Sequence, residues 1–311
     1  MMGVTVGRRR SRGRAVNGVV LLDKPQGITS NAALQQVKRL FDANKAGHTG
    51  SLDPLATGML PICLGEATKM AAYLLDADKR YQVTIKLGAT STTGDSEGEI
   101  KPYGVVPALT DSELKKLLLD FTGEILQVPP MHSALKRNGE PLYKLAHQGI
   151  EVDREARPVT IYEIKLLNVR YDELELDVHC SKGTYIRVLA EDIGQAAGCG
   201  GYVSQLRRTK VGCYDQPEKI LTLSQLEQLK DQHGVEQLDA VLLPVESALF
   251  TWPSIRVPSD VAFFLKRGQA VQVHQAPANG LVRIYKDEQQ FIGVGQVKED
   301  GKLHPKRLVN L

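Results

Sequence analysis

Apolar and polar residues alternate strictly in two segments of this chain, residues 81–87 and 173–180. Side chains of a β-strand point alternately to opposite faces, so both segments predict strands that bury one face in a core. The segments Asn17–Asp23 and Tyr202–Thr209 are also strand-like. A polar, glycine-containing stretch at residues 90–99 predicts a hairpin loop after the first alternating strand.

Between these strands lie segments whose apolar residues have helical spacing. Thr29 or Ser30 can cap a first helix, and a capping box at residues 110–113 precedes a second. Helical spacing resumes after the turn predicted at Gly183, and residues 224–227 predict the capped start of another helix. Residues 66–75 are also helix-like.

Size and composition narrow the class of protein. A chain of 311 residues with 42% hydrophobic residues predicts two domains, with a boundary where prolines concentrate between Pro244 and Pro258. Its four cysteines have no zinc-finger spacing, which predicts reduced packing residues and neither a disulfide framework nor a metal site. Since no apolar run can span a bilayer, we expect a soluble, cytoplasmic protein.

Positive charge is concentrated at the N-terminus. The formal net charge is +3, but residues 1–14 contain five arginines and no acid, so 34 basic residues face 36 acidic residues in the remainder. The composition predicts that residues 1–14 form a disordered basic arm. The arm is either a solubilising tail or a phosphate-binding segment.

A turn-rich stretch around Asp53 is the main candidate for chemistry. Between Gly50 and Gly58 the sequence predicts a loop, because glycine permits unusual backbone angles and Asp-Pro initiates turns. Taken alone, Asp53 is more typical of a helix N-cap or a turn aspartate, with Pro54 at the first helical position, than of a catalytic group.

The longer sequence around Asp53 favours the catalytic interpretation. Residues 47–58, G-H-T-G-S-L-D-P-L-A-T-G, with the following L-P-I-C-L-G-E-A-T-K, resemble motif II of the TruB family of pseudouridine synthases. That family isomerises uridine 55 in the T loop of tRNA. The resemblance implies that Asp53 attacks the target nucleoside, on the sugar or on the ring. It also implies that His48 stacks in the T loop in place of the extruded base.

Three further segments resemble the same family. K-R-Y, ending at Tyr81, resembles the element whose tyrosine packs against the flipped base. K-G-T-Y-I-R-V-L resembles motif III, which implies that Arg187 pairs with the catalytic aspartate and that Tyr185 lines the pocket. Leu206 matches the leucine that closes this pocket. Where Ser91 stands, family members often carry aspartate, whereas Asp95 matches an acidic position.

The resemblance also implies the architecture. We expect an α+β fold with a mixed, mainly antiparallel sheet flanked by helices, forming a catalytic domain at residues 15–245. A basic thumb insertion is expected at about 123–158, and a small C-terminal β-barrel domain of the PUA-like, RNA-binding type at 246–311. Basic and aromatic residues interleave in the thumb, as is typical of surfaces that grip RNA: Lys136, Arg137, Tyr143, Lys144, His147, Arg154 and Arg157.

The predicted reaction is therefore conversion of uridine 55 to pseudouridine by a stand-alone enzyme. Asp53, Tyr81 and Arg187 are the predicted catalytic residues, and His48, Tyr81, Tyr185 and Leu206 are predicted to bind the substrate. We expect no cofactor and no metal, a monomer, and the T stem-loop of tRNA as partner. Alternatives are an RNA-guided synthase subunit, a non-catalytic RNA-binding or RNA-folding module, and a metal-dependent nuclease, for which Asp53 lacks nearby carboxylates in sequence.

Overall fold

A computed structural model describes residues 13–137, 139–273, 279–287 and 289–311. In these ranges a mixed sheet of nine strands, flanked by helices, forms the larger part of the molecule. A curled half-barrel sheet of five strands follows near the C-terminus, within the same described ranges. The predicted α+β class is confirmed, and the predicted C-terminal barrel has this half-barrel form.

The elements follow one another in a mixed order. The strands are β1 (Gly18–Lys24), β2 (Ala46–His48), β3 (Thr57–Leu64), β4 (Lys79–Leu87), β5 (Ala89–Ser91), β6 (Ile100–Pro102), β7 (Gly123–Gln127), β8 (Lys136–Arg137), β9 (Glu140–Pro141), β10 (Arg157–Arg170), β11 (Glu173–Cys180), β12 (Gly201–Val211), β13 (Leu221–Thr222), β14 (Ser254–Val257), β15 (Val271–Gln272), β16 (Gly280–Lys286), β17 (Gln290–Val297) and β18 (Lys302–Leu308). The helices are α1 (Ser30–Leu40), α2 (Ala71–Leu75), α3 (Asp111–Leu119), α4 (Leu142–His147), α5 (Ile186–Ala196), α6 (Leu223–Ala240) and α7 (Ser259–Lys266).

The larger sheet has the strand order β13-β1-β3-β12-β4-β11-β10-β7, and β2 pairs with β3. The pairs β1–β13 and β3–β12 are parallel, whereas the other neighbours in this sheet are antiparallel. Tyr81 lies opposite Val178 on β11 and opposite Arg208 on β12. This register places the loop after β2 and the start of α5 around the middle of the sheet.

Strands β1 and β3 are buried on both faces, which explains their nearly continuous apolar sequences. Val20 and Leu22 face the main core together with helix α1. Val19 and Leu21 pack instead in a second apolar cluster, which residues of the C-terminal sheet share. The C-terminal part therefore packs directly against the back of the larger sheet.

Three element boundaries differ from the sequence-based expectations. Residues 65–75 form a 3₁₀ turn (Gly65–Lys69) and then the short helix α2. Helix α6 begins earlier than expected, because Thr222 and Gln225 form the capping box in place of residues 224–227. Strand β7 and the start of β10 pair within the larger sheet, so the loop-rich part of the predicted thumb spans residues 128–156.

The N-terminal arm lies mostly outside the described residues, which begin at residue 13. Arg14 belongs to the folded part, because its guanidinium forms two hydrogen bonds of 2.9 Å with the Asp239 carboxylate and two more with the Phe41 carbonyl oxygen. None of the described helices has the length and apolar content needed to cross a membrane.

Candidate active site

The loop between β2 and β3 carries Asp53, and a buried lysine holds its backbone. Lys24 is fully buried, and its Nζ donates hydrogen bonds of 2.8 Å to the carbonyl oxygens of Pro25 and Ile28. A longer bond of 3.4 Å reaches the carbonyl oxygen of Pro54. Burial lowers the pKa of Lys24 to about 8. The lysine thus supports the residue that follows Asp53.

A buried arginine and serine fix the rest of the loop. Arg208 Nε donates to the Met59 carbonyl oxygen at 2.8 Å, and Nη2 donates to the Gly50 carbonyl oxygen at 3.3 Å. The Ser30 hydroxyl accepts a bond from the Leu52 amide and donates one to the Leu52 carbonyl oxygen. These contacts leave the backbone around Asp53 few alternative conformations.

No helix follows Asp53. Residues 54 and 55 form bends, and β3 begins at residue 57. The interpretation of Asp53 as a helix N-cap is therefore wrong, whereas a turn is present, because the Ala56 amide donates a 3.1 Å hydrogen bond to the Asp53 carbonyl oxygen.

Arg187, in the first turn of α5, joins Asp53 to two other segments. Its Nε lies 3.0 Å from Asp53 Oδ2, and its Nη1 lies 3.7 Å from Asp95 Oδ2. Nη1 also donates to the Thr93 carbonyl oxygen, and Nη2 donates to the His132 carbonyl oxygen, both at 2.8 Å. Only 7% of the Arg187 side chain is exposed, so these contacts hold the guanidinium in one orientation.

The Asp53 side chain lines a cavity, and 41% of its surface is accessible. Burial raises the pKa of Asp53 above its ordinary value, the Arg187 guanidinium opposes this rise, and the Asp95 carboxylate adds to it. Asp53 is therefore an acid whose ionised form depends on its arginine partner.

The cavity beside this ion pair has a volume of about 630 Å³. Asp53, Arg187 and His48 line it together with thumb residues, which include Ser133 and Tyr143. Three of the predicted site residues are thus at one cavity. Its size lies within the usual range for small-molecule sites, and one nucleoside fits such a volume.

Tyr185 precedes Arg187 at the start of α5 and is held by its backbone. Gln127 on β7 accepts a hydrogen bond from the Tyr185 amide and donates one to its carbonyl oxygen. Burial raises the pKa of the Tyr185 hydroxyl. The Asp53 charge adds to this rise, which indicates that the two side chains are near one another.

Tyr81 and Leu206 are not among the residues that line the Asp53 cavity. Tyr81 is buried in the main core, where burial raises the pKa of its hydroxyl, the Arg208 guanidinium opposes the rise and Asp53 contributes to it. Leu206 lines a separate groove of about 760 Å³ on the other side of the loop, together with Leu55. The structure therefore places Tyr81 close to Asp53, and it places Leu206 on β12 at a different groove, which Leu55 of the Asp53 loop also lines.

Several positioning residues were missed or underrated in the sequence. Arg208 has a relative exposure of 1%, and Asp95 has one of 2%. Asp95 accepts hydrogen bonds from the Thr93 hydroxyl and the Glu97 amide, which orient it toward Arg187. A charged residue on the buried face of a strand was the available signal for Arg208. No sequence pattern pointed to Gln127.

The thumb presents cations to solvent. Lys136, Arg137, Lys144 and Arg157 are exposed, whereas the side chain of His147 is outside the described part of the structure. Among the described residues, no group of three or more His, Cys, Asp or Glu side chains is placed to hold a metal ion.

Proteins of known name are similar to this chain over nearly its whole length. A protein named tRNA pseudouridine synthase B from Tolumonas auensis is 53% identical over 311 residues, covering 98% of this chain and 95% of that protein. A protein of the same name from Aeromonas salmonicida is 53% identical over 312 residues, covering 97% of this chain and 96% of its own length. The chain belongs to the TruB family of pseudouridine synthases. The family resemblance predicted from its motifs is confirmed.

Family models and solved structures agree with this assignment to the TruB family. The model for the N-terminal domain of TruB family pseudouridylate synthases matches residues 38–186. Models for the C-terminal domain of tRNA pseudouridylate synthase B and for the C-terminal part of pseudouridine synthase II TruB match residues 187–250 and 253–309.

Two solved structures have the same fold. A chain in a crystal structure of a Cbf5-Nop10-Gar1 complex has a TM-score of 0.72 and 28% identity, covering 91% of this chain and 79% of that chain. A chain in an H/ACA RNP bound to a substrate RNA containing 2′-deoxyuridine has a TM-score of 0.73 and 23% identity, covering 98% of this chain and 92% of its own. At 23% sequence identity, the similarity to the second structure shows the fold alone.

Proposed function

We propose that this TruB-family protein converts uridine 55 in the T loop of tRNA to pseudouridine, with Asp53 as the nucleophile. The observation that carries the proposal is the 3.0 Å contact between Asp53 and Arg187 at the wall of a cavity large enough for a nucleoside. The names of the full-length relatives support tRNA as the substrate.

The reaction requires one carboxylate in a shielded pocket. The N1–C1′ bond of uridine breaks, the uracil turns, and a C5–C1′ bond forms, while the proton of C5 leaves and N1 gains a proton. No electrons are gained or lost, so no redox carrier is involved. A target inside folded RNA must first be flipped out of its stack to reach Asp53.

Arg187 keeps Asp53 ionised and aimed at the flipped nucleoside. Burial alone would raise the pKa of this carboxyl, so that it would stay protonated up to a higher pH. A fixed cation at 3.0 Å opposes that effect. The guanidinium is itself held by the carbonyl oxygens of Thr93 and His132, so it cannot follow a displaced aspartate. Asp95 supports this orientation from the opposite side.

The two tyrosines have supporting roles. A tyrosine phenol is protonated near neutral pH, and burial raises the pKa of Tyr81 further, so this side chain is better suited to stacking on uracil than to accepting the C5 proton. Tyr185, fixed by Gln127, confines the ring from the side of α5. Leu206 closes the pocket from β12 when the loop around Leu55 adjusts to the RNA.

The remaining contacts hold the RNA. His48 lines the cavity, and burial lowers the pKa of its imidazole, so the neutral ring is available to stack in the space left by the extruded base. The exposed cations of the thumb contact phosphates of the T loop. The protein acts as a monomer in the cytoplasm.

Pseudouridine formation by the purified protein tests this function. An unmodified tRNA transcript should gain pseudouridine at position 55 without any partner protein or guide RNA, and a transcript with cytidine 55 should gain none. Modification at another position, or only after a guide RNA is added, would contradict the proposal and favour the RNA-guided alternative. Tight tRNA binding without any product would favour a non-catalytic RNA-binding role.

A further inference from the structure

Ser133 lies in the cavity wall between the Asp53–Arg187 ion pair and helix α4 of the thumb. The preceding residue, His132, accepts the Arg187 hydrogen bond through its carbonyl oxygen. The Ser133 carbonyl oxygen accepts a 3.0 Å hydrogen bond from the Tyr143 amide at the start of α4. These two hydrogen bonds fix the backbone at His132 and Ser133, and Ser133 is one of the residues that line the cavity containing Asp53.

The Ser133 hydroxyl is buried without a partner. Ser133 has a relative exposure of 6%, and its Oγ has no hydrogen-bond partner among the described residues. Only two other buried side-chain atoms in the described ranges share this condition, His48 Nδ1 and Thr49 Oγ1. Ser133 and His48 line the same cavity, so unpartnered buried polar atoms concentrate where a nucleotide is expected.

An unpartnered buried hydroxyl is costly, and native proteins avoid it except where something else supplies the partner. The Tyr185 hydroxyl is the neighbouring polar group: burial raises its pKa, and Ser133 partly opposes that rise. Ser133 lowers the pKa of Tyr185 as a hydrogen-bonding neighbour, but the contact does not meet full hydrogen-bond geometry, so Ser133 Oγ is left without a partner. The missing partner of Ser133 is therefore expected to come from the substrate.

We propose that Ser133 is a specificity-determining residue whose hydroxyl donates a hydrogen bond to a carbonyl oxygen of the flipped uracil. This inference rests on the proposed function. Uracil offers two carbonyl acceptors, and enzymes that flip bases read them through hydrogen bonds to the base edge. A serine hydroxyl can donate one such bond while Tyr185 confines the opposite part of the ring.

A substrate series tests the proposed bond. The assay measures kcat/KM of the full-length enzyme on tRNA carrying uridine, 2-thiouridine or 4-thiouridine at position 55, because sulfur is a weaker acceptor than oxygen. Ser133→Ala should lower kcat/KM on uridine by about tenfold or more. In the wild type, each thio substitution is expected to lower kcat/KM relative to uridine, and this reduction is the thio penalty. Ser133→Ala should abolish the penalty of one of the two substitutions, since the bond to that atom no longer exists.

Ser247→Ala is the matched control. Ser247 is also buried, at a relative exposure of 1%, but its hydroxyl is paired with the Tyr214 hydroxyl at 2.7 Å. Ser247→Ala should lower the melting temperature, because it leaves a buried phenol unpaired, and should leave both thio penalties unchanged. Ser133→Ala should not lower the melting temperature, because it removes a hydroxyl that the free protein leaves unsatisfied.

The outcomes separate this inference from the proposed function. If Ser133→Ala has the same kcat/KM as the wild type, or retains both thio penalties, the role of Ser133 is overturned and the proposed function is unaffected. A lower kcat/KM that is matched by a lower melting temperature, with both penalties retained, would assign Ser133 a structural role and also overturn it. Failure of the wild-type enzyme to form pseudouridine 55 would instead contradict the function itself.

Discussion

Arg187 and Arg80 each contact two carboxylates, but in different surroundings. Arg80 on β4 pairs with Glu163 at 2.8 Å and with Asp177, and 27% of its side chain is exposed. Arg187 pairs with two aspartates of the active-site loops, and its side chain is only 7% exposed. The two clusters thus use the same kinds of group, one at the surface of the sheet and one at the start of α5 beside the cavity.

The two clusters have opposite effects on the pKa values of their acids. Hydrogen bonds from Lys165 and Arg80 lower the pKa of Glu163, whose side chain is 38% exposed. In contrast, burial raises the pKa of Asp53 despite its contact with Arg187. A solvated cluster of this kind contributes modestly to stability, whereas a carboxyl with a raised pKa at a cavity is typical of functional sites.

Replacing one aspartate in each cluster should separate these roles most strongly. Asp53→Asn should reduce the single-turnover rate on tRNA by on the order of 10⁴-fold or more, because an amide cannot act as the nucleophile. Asp177→Asn, the matched change in the Arg80 cluster, should leave the rate within about threefold of the wild type, since it removes only a structural contact.

Circular dichroism should show that both aspartate variants are folded. Wild-type turnover by Asp53→Asn would exclude Asp53 as the nucleophile. An equally large loss of rate in Asp177→Asn would mean that the two clusters do not differ in function.

Replacing each arginine by lysine should have a smaller effect. Arg187→Lys retains the positive charge but loses the planar donors that reach Asp53 and two carbonyl oxygens, so a loss of about 100-fold in kcat is expected. Arg80→Lys should remain within about twofold of the wild type. Near-normal turnover by Arg187→Lys would show that charge alone is sufficient.

The smallest effect concerns RNA affinity. Removing residues 1–12 deletes four arginines but keeps Arg14, which pairs with Asp239. If the arm contacts phosphates, the slope of log Kd against log salt concentration should fall by roughly 3, with kcat unchanged. Filter binding at several salt concentrations measures this slope, and an unchanged value would identify the arm as a solubilising tail.

Regular local patterns made much of the fold predictable. The alternation of Tyr81, Val83, Ile85 and Leu87 predicted the buried face of β4, and all four residues are buried. Strand β3 was not predicted, because the prolines and glycines of its segment favoured turns. Pro61 is tolerated because it lies between the parts of β3 that pair with β12 and with β2.

Parts of the site depend on contacts between distant segments. The motifs indicated Asp53 and Arg187, which lie 134 positions apart in the printed sequence and form the observed ion pair. The burial of Asp95, the clamp formed by Gln127 and the unpartnered hydroxyl of Ser133 arise only when segments that are distant in the sequence pack together. Local spacing carries no information about such packing.

The central claim is that Asp53 reacts as a carboxylate that Arg187 keeps ionised, and the pH dependence of the single-turnover rate tests it most directly. Since burial raises the pKa of Asp53, the protonated and inactive form accumulates as pH falls through that raised value, and the rate should fall with it. Arg187→Lys weakens the opposing cation, so the acid limb of its profile should move to higher pH. An acid limb at the same pH in both enzymes would contradict the account.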